Sequence, residues 1–353
     1  MVWKGSDRSV MVGGVQIGGG ALPVVQSMTN TDTRDPKATL AQIERLTTAG
    51  CEVVRVAIPT ALALPGFGEI VAASPIPVVA DIHFDHRLAI EAIALGAAKI
   101  RINPGNIGDM ARVDAVIDAA GAAGVPIRIG VNAGSLAERF DGADIPLADK
   151  LVASAEAFCE HFESRGFSNL VVSAKASSVP VTVEAHRRLA ASLPYPLHIG
   201  VTEAGPAFDG TIKSSVGLGI LLSEGIGDTM RVSLTADPVT EIETAWAILA
   251  SLDIKRNRPE IISCPTCGRC QVDLIPIAEQ VAERLKRAPA SVKVAVMGCV
   301  VNGPGEAREA DFGIACGRDT GVVFAHGEPL RTVTEAEIVD ALFEEIEREY
   351  PLR

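Results

Sequence analysis

Eight short apolar runs, spread over the first 235 residues, constrain this chain more than any other feature. They read PVVQSMT (23–29), CEVVRVAI (51–58), IPVVADI (76–82), AAKIRIN (97–103), VPIRIGVN (125–132), NLVVSAKA (169–176), PLHIGVTE (196–203) and DTMRVSLT (228–235). Between them lie amphipathic stretches such as KATLAQIERLTTAG, HRLAIEAIALGA and LVASAEAFCEHFESRG, several of which end at or near glycine, the usual helix stop. Strands alternating with helices make parallel βαβ units, and near-continuous apolar runs suit strands covered on both faces. Eight such units in roughly 240 residues are the size of a (β/α)8 barrel. A doubly wound open sheet is the rival. The count of eight, and a first unit that no G-x-G-x-x-G opens, favour the TIM-type barrel.

The rhythm then changes. DIKRNRPEIIS (253–263) is polar and charged and reads as a linker. Beyond it come a cysteine loop, a helical stretch (VDLIPIAEQVAERLKRA), a strand (VKVAVMG), two short strands (FGIACG and GVVFAHG) and a closing helix (EAEIVDALFEEIEREY). The expected organisation is α/β overall: a barrel over 1–252, a linker over 253–263 and a small α+β domain over 264–353.

Composition narrows the function classes. Thirty-two basic against 44 acidic residues leave a net charge of −12, a field that disfavours nucleic acid and anionic membranes as partners. Aromatics are only 4%, too few for a platform that stacks single-stranded bases. No apolar run reaches the ~20 residues of a membrane span, and MVWKGSDRSV lacks the apolar stretch of a signal peptide. A cytoplasmic location is expected, where thiols stay reduced.

Four of the seven cysteines, Cys264, Cys267, Cys270 and Cys299, fall within 36 residues, in SCPTCGRC and MGCVVNGPGE. In a reducing compartment such crowding points to metal. One reading is a structural zinc. Another is an iron–sulfur cluster on Cys264, Cys267 and Cys299. Glu306 lies seven residues past Cys299, beyond a turn-forming Asn-Gly-Pro-Gly. A carboxylate exchanges more readily than a thiolate, which would leave one iron open to substrate and suit redox catalysis. The C-x2-C-x2-C spacing departs from the C-x3-C-x2-C of radical enzymes. Cys270 and Cys316 read as thiols without ligand duty, and Cys51 and Cys159 as core residues.

The barrel strands carry charges where a buried strand should be apolar: Arg55, Arg101, Arg128, Lys175, His198 and Arg231, with Asp81 and His83 closing the third run. One such residue is ordinarily a structural ion-pair member. Basic residues on five strands of an acidic protein instead suggest an anionic ligand at the C-terminal mouth, a phosphate or diphosphate. The glycine-rich turns NPGNIG, NAGS and EAGP, with Asn103, Asn132 and Glu203 at their starts, can aim further donors there. Glu203 and Asp81 are candidates for hydroxyl contacts or proton transfer.

Together VQSMTNTDTRD, ADIHFDHRLA, KIRINPGNIG, IRIGVNAGSL, HIGVTEAG, GTIKSSVGLGILLSEGIGDTMRVSLT, SCPTCGRC and MGCVVNGPGEA resemble the 4-hydroxy-3-methylbut-2-enyl diphosphate synthase family, in its two-domain bacterial form, over residues 23–327. The resemblance implies reductive ring opening of 2-C-methyl-D-erythritol 2,4-cyclodiphosphate with loss of water, in the non-mevalonate route to isoprenoids. It implies a 4Fe–4S cluster held by Cys264, Cys267, Cys299 and Glu306. It implies ferredoxin or flavodoxin as electron donor, and a head-to-tail homodimer in which one subunit's cluster domain caps the other's barrel. It adds Lys213 to the substrate-binding set of Arg55, Asp81, His83, Arg101, Asn103, Arg128, Asn132, Lys175 and Arg231, and gives Glu203 and Glu306 catalytic roles. Two other classes stay open: a phosphosugar- or pterin-binding barrel enzyme with a structural zinc domain, and a non-enzymatic iron–sulfur electron carrier.

Overall fold

The computed structural model describes residues 3–134, 136, 137, 140, 142, 144–299 and 310–351. The chain divides into two compact units, residues 1–255 and 256–353.

The first unit opens with an antiparallel hairpin, β1 (Ser9–Val12) and β2 (Val15–Gly18). Eight parallel strands follow: β3 (Val24–Met28), β4 (Val53–Ala57), β5 (Val78–Asp81), β6 (Lys99–Ile102), β7 (Ile127–Asn132), β8 (Leu170–Lys175), β9 (His198–Ile199) and β10 (Thr229–Met230). Each lies within one of the eight apolar runs. Their order in the sheet is β8-β7-β6-β5-β4-β3-β10-β9. The ring closes through a parallel bridge between Val172 and Leu197, with Val172 N donating to Pro196 O at 2.8 Å. A helix follows every strand, from Pro36–Thr48 after β3 to Pro238–Ser251 after β10. Aspartates cap several helices: Asp35, Asp85, Asp109 and Asp237 each accept from a backbone N–H of the first turn. Gly124, at φ 68°, closes the helix Met110–Ala123 in the left-handed conformation that residues with a Cβ disfavour.

Strand alternation sets the layers. Val54, Val56, Ala80, Ile100, Ile102, Ile127, Ile129, Leu170 and Val172 turn outward into the large core under the helices. Cys51 and Cys159 are buried in that same core. Val24, Val53, Val79 and Val171 turn inward at the N-terminal ends of their strands and pack against Val10, Val12 and Ile17 of the hairpin. The hairpin is an apolar plug for the barrel floor.

The second unit is a five-stranded sheet, β11 (Glu260–Ser263), β12 (Lys293–Met297), β13 (Phe312–Gly317), β14 (Thr320–Ala325) and β15 (Glu328–Thr334). The first three strands are parallel and the last two antiparallel. Helices Leu274–Leu285 and Ile338–Glu349 supply Ile277, Val281, Leu342 and Ile346 to a core with Val294, Val296, Ile314 and Val323. The polar stretch 253–263 ends in a strand, because Glu260–Ser263 pairs in register with Lys293–Val296. Among the described residues no helix is long and apolar enough to cross a membrane.

Candidate active site

Above the valine plug the barrel interior turns polar. The next inward positions are Gln26, Lys99 and His198, each at most 1% exposed. Above them opens a cavity of about 240 Å³, lined among others by Arg55, Asp81, Arg101, Arg128, Lys175 and Arg231. Parity explains the convergence: Arg128, Gly130 and Asn132 share one side of β7, as Ser173 and Lys175 share one side of β8, and all five reach the cavity.

Asp81 is the anchor of this ring. Its carboxylate accepts from Arg101 Nη1 at 3.3 Å, lies 3.8 Å from Arg55 Nε and 3.2 Å from His83 Nε2. Burial alone would raise its pKa, but Arg55, the His83 hydrogen bond and Arg101 hold it well below the usual carboxylate range. Glu241 does the same for Arg231. It accepts from the Arg231 guanidinium at 3.3 Å, from Leu234 N at 3.0 Å and from Ser27 Oγ at 3.0 Å. Met28 Sδ receives Arg55 Nη2 at 2.8 Å.

Arg128 and Lys175 have no carboxylate partner among the described residues. Burial first, and then the surrounding cations, push both well below their ordinary pKa values. Burial brings Arg55 down to about 10, with Asp81 opposing and Arg231 and Arg101 reinforcing. Arginine stays charged in practice, so for the arginines these shifts register a site short of negative charge. Four arginines and Lys175 face two carboxylates, Asp81 and Glu241. A multiply charged oxyanion is the ligand that restores the balance, and guanidinium forks match its geometry.

Two glycines make room for the cations. A Cβ on Gly130 would lie 2.7 Å from Arg101 Nε, and one on Gly200 would lie 2.5 Å from Lys175 Nζ. Sequence reasoning did not single out either residue, because the signal is an empty space. It also passed over Glu241, Met28, Ser173 and Lys99. Only Lys99 carried a readable sign, two positions before Arg101 on the same strand.

The cavity gathers Arg55, Asp81, His83, Arg101, Arg128, Asn132, Lys175 and Arg231. Asn103, Lys213 and Glu203 are not among its walls. Asn103 is fully buried and caps the short helix Pro104–Ile107 by accepting from Gly105 N at 3.1 Å. Lys213 is exposed on the helix Ala207–Ser223. Glu203 is exposed on the loop after β9, directly after the wall residue Thr202, and its φ is 52°. A non-glycine residue in that left-handed region is strained, and such strain clusters where a side chain must be aimed.

In the second unit, parallel β11 and β12 end side by side, which sets the turn holding Cys264 beside the one holding Cys299. Cys264 Sγ accepts from Gly298 N at 3.2 Å, whereas Cys270 Sγ donates to Val272 O at 3.3 Å. Cys267 is exposed, and the Arg269 backbone N–H donating to it lowers its pKa. Cys299 is buried at 7% exposure, and burial pushes the Cys316 thiol up to about 12. A Cβ on Gly298 would lie 2.4 Å from Cys270 Sγ and 3.6 Å from Cys264 Sγ. Among the described residues no three His, Cys, Asp or Glu side chains are gathered as a single metal ion would require. A four-iron cluster spreads its ligands more widely, and the adjoining turns of Cys264 and Cys299, with the exposed Cys267 thiol lowered by the Arg269 amide, fit it. Glu306 lies outside the described residues.

Fold and site define a (β/α)8 barrel protein with a cation-lined cavity, joined to an α+β unit that carries a cysteine turn. The chain belongs to the GcpE family: the GcpE TIM-barrel domain matches residues 7–246, and the GcpE protein C-terminal domain matches residues 260–348. Relatives named 4-hydroxy-3-methylbut-2-en-1-yl diphosphate synthase (flavodoxin) include that of Geobacter sulfurreducens, 54% identical over 98% of both chains. That of Nitratidesulfovibrio vulgaris is 54% identical over 98% of this chain and 90% of its own. That of Thermodesulfovibrio yellowstonii is 52% identical over 99% of this chain and all of its own. Among solved structures, dihydropteroate synthase of Yersinia pestis aligns with a TM-score of 0.51 at 15% identity, over 70% of this chain and 100% of that one. That of Coxiella burnetii gives 0.50 at 12%, over 70% and 99%. This likeness shows the barrel alone, and it lends the pterin alternative no support.

Proposed function

We propose that this chain is a 4-hydroxy-3-methylbut-2-enyl diphosphate synthase, an iron–sulfur oxidoreductase of isoprenoid biosynthesis. It takes 2-C-methyl-D-erythritol 2,4-cyclodiphosphate, two electrons and two protons, and yields 4-hydroxy-3-methylbut-2-enyl diphosphate and water. The observation that carries the reading is the cation surplus of the barrel cavity, on a chain half identical to synthases of that name.

Arg55, Arg101, Arg128, Lys175 and Arg231 hold the diphosphate. Ring opening frees a phosphate oxygen and adds charge, so cations fixed beforehand favour the opened form. Asp81, kept ionised by its neighbours, accepts from a substrate hydroxyl, with His83 and Asn132 beside it. Glu203 delivers the proton that lets the hydroxyl leave as water. Asn103 serves by capping the 104–107 turn, and Lys213 stands on the helix outside the cavity. Cys264, Cys267, Cys299 and Glu306 hold a 4Fe–4S cluster, which when bound supplies the electrons singly. The donor is flavodoxin, named in the relatives' title, with ferredoxin as its substitute. The active form is a homodimer, and the compartment is the reducing cytoplasm.

The test is turnover by anaerobically purified protein. Four iron and four sulfide per chain, and conversion of the cyclic diphosphate with a one-electron reductant, are the expected results. Zinc without sulfide, or loaded protein that leaves the substrate intact, overturns the reading.

A further inference from the structure

The polar tier beneath the cavity has no partner for much of its hydrogen-bonding capacity. Gln26 on β3, Lys99 on β6, Arg128 on β7 and His198 on β9 are each at most 2% exposed. Among the described residues, Gln26 Nε2 and Oε1, Lys99 Nζ, Arg128 Nε and Nη1, and His198 Nε2 find no hydrogen-bond partner. Buried polar groups are ordinarily paired, and an unpaired charge there is costly. Lys99 is the extreme case. It lies two positions before Arg101 on the same inward side, in register with Val79 of the apolar layer on the neighbouring strand.

The charged and titratable groups around Lys99 are almost all cationic or neutral. Arg128 on β7 and Arg55 on β4 act on it directly. Arg101 stands on its own strand, Lys175 on β8 and His198 on β9. The two carboxylates of this end of the barrel are engaged already, Asp81 on β5 by Arg55, Arg101 and His83, and Glu241 by Arg231. Burial, then Arg128 and Arg55, hold Lys99 well below the ordinary lysine range. His198 is lowered for the same reasons, burial first and then Lys175, Arg128 and Lys99. Burial without a hydrogen-bond partner among the described residues, beside Arg128 and Arg55, therefore disfavours the charged amine in the empty barrel. A multiply charged anion in the ring above reverses the field that opposes the charge.

We propose that Lys99 is a positioning residue for the diphosphate: it takes a proton from bulk water when the anion fills the cavity, and so adds a positive charge beneath Arg128 only while the site is occupied. The proposal rests on the reading of the cavity as a diphosphate site. Its use is plain in the charge change of the reaction. The opened diphosphate carries more negative charge than the cyclic one, and a proton on Lys99 offsets part of the increase without straining the empty protein.

The test titrates cluster-loaded, full-length protein with inorganic pyrophosphate by anaerobic calorimetry at pH 8, in two buffers of different ionisation enthalpy. Their difference gives the protons taken up per anion bound. Lys99→Met should take up about one proton fewer than wild type, because the ligand's own protons cancel in the comparison. Its affinity at pH 7 should fall about tenfold, and its affinity should change less steeply between pH 7 and 9. Lys99→Gln serves as the second variant should the first not fold. Equal proton uptake and equal affinity in wild type and variant overturn the role of Lys99 while leaving the cavity reading intact. Wild type that does not bind pyrophosphate overturns both.

Discussion

Glu203 and Lys175 show what single residues contribute. Glu203 keeps a positive φ that its own side chain disfavours, on a loop that begins at the cavity wall. If that strain aims an acid at the leaving hydroxyl, Glu203→Gln should lower kcat by roughly 100- to 10,000-fold and leave pyrophosphate affinity within twofold. Loss of binding with kcat retained would contradict the assignment. Lys175 bears on stability. Its pKa in the folded, ligand-free protein is lowered by burial and then by Arg128 and Arg55. Unfolded lysine titrates near 10.4, so between the two values the unfolded chain binds more protons than the folded one. The Lys175 contribution to stability therefore rises with pH across that window, against the opposite slope of the thiols of Cys51, Cys159 and Cys316, whose pKa values burial raises. The slope of melting temperature against pH should be less positive in Lys175→Met than in wild type, and less positive in wild type with saturating pyrophosphate than without it. At this scale the site was legible wherever function wrote a charge into an apolar run, as at Arg55, Arg128 and Arg231. It was illegible where function is carried by missing atoms, as at Gly130 and Gly200.

At the scale of elements, the eight barrel strands stood out because both of their faces are buried and their sequences are apolar throughout. The hairpin of β1 and β2 did not, since four-residue strands that bury one face leave only Val10, Val12 and Ile17 as a signal. β11 was hidden in a charged stretch for a related reason: Glu260–Ser263 is an edge strand, half-buried to exposed, with one neighbour. Yet β11 decides the geometry of the cysteine turn. Its parallel pairing with β12 puts the Cys264 thiol against the Gly298 amide, and a Cβ at 298 would lie 2.4 Å from Cys270 Sγ, in the same cysteine turn. Gly298→Ala should thus leave the barrel folded and pyrophosphate binding unchanged, while cluster content drops by more than half. Iron and sulfide analysis beside calorimetry separates the two effects. The barrel counterpart is Gly130→Ala, which pushes against the Arg101 guanidinium. It should weaken pyrophosphate binding roughly 10-fold or more, as loss of a charge-assisted contact does, with cluster content unaltered.

For the whole molecule, the cavity's cations belong to one compact unit and the cysteine turn to the other. Electron transfer to a substrate held by the barrel requires a barrel and a cysteine unit to meet. In the head-to-tail dimer that we propose, each cysteine unit would serve the partner's barrel, and both sites would close together. A monomer would have to bring its own two units together. The alternatives differ in what two crippled chains can do for each other. Cys299→Ser keeps its cations and loses cluster, and Arg128→Ala keeps cluster and loses its hold on diphosphate. Mixed in equal amounts and allowed to exchange, half of the dimers carry one chain of each kind. In a crossed dimer, one of the two sites in each such pair combines an intact barrel with an intact cluster. Activity should then return to about a quarter of the wild-type value at equal total protein. Sites built within single chains give no recovery at all, since every chain is defective in one half. Native mass spectrometry shows whether the mixed dimer has formed, so inactivity in its presence counts directly against the crossed arrangement.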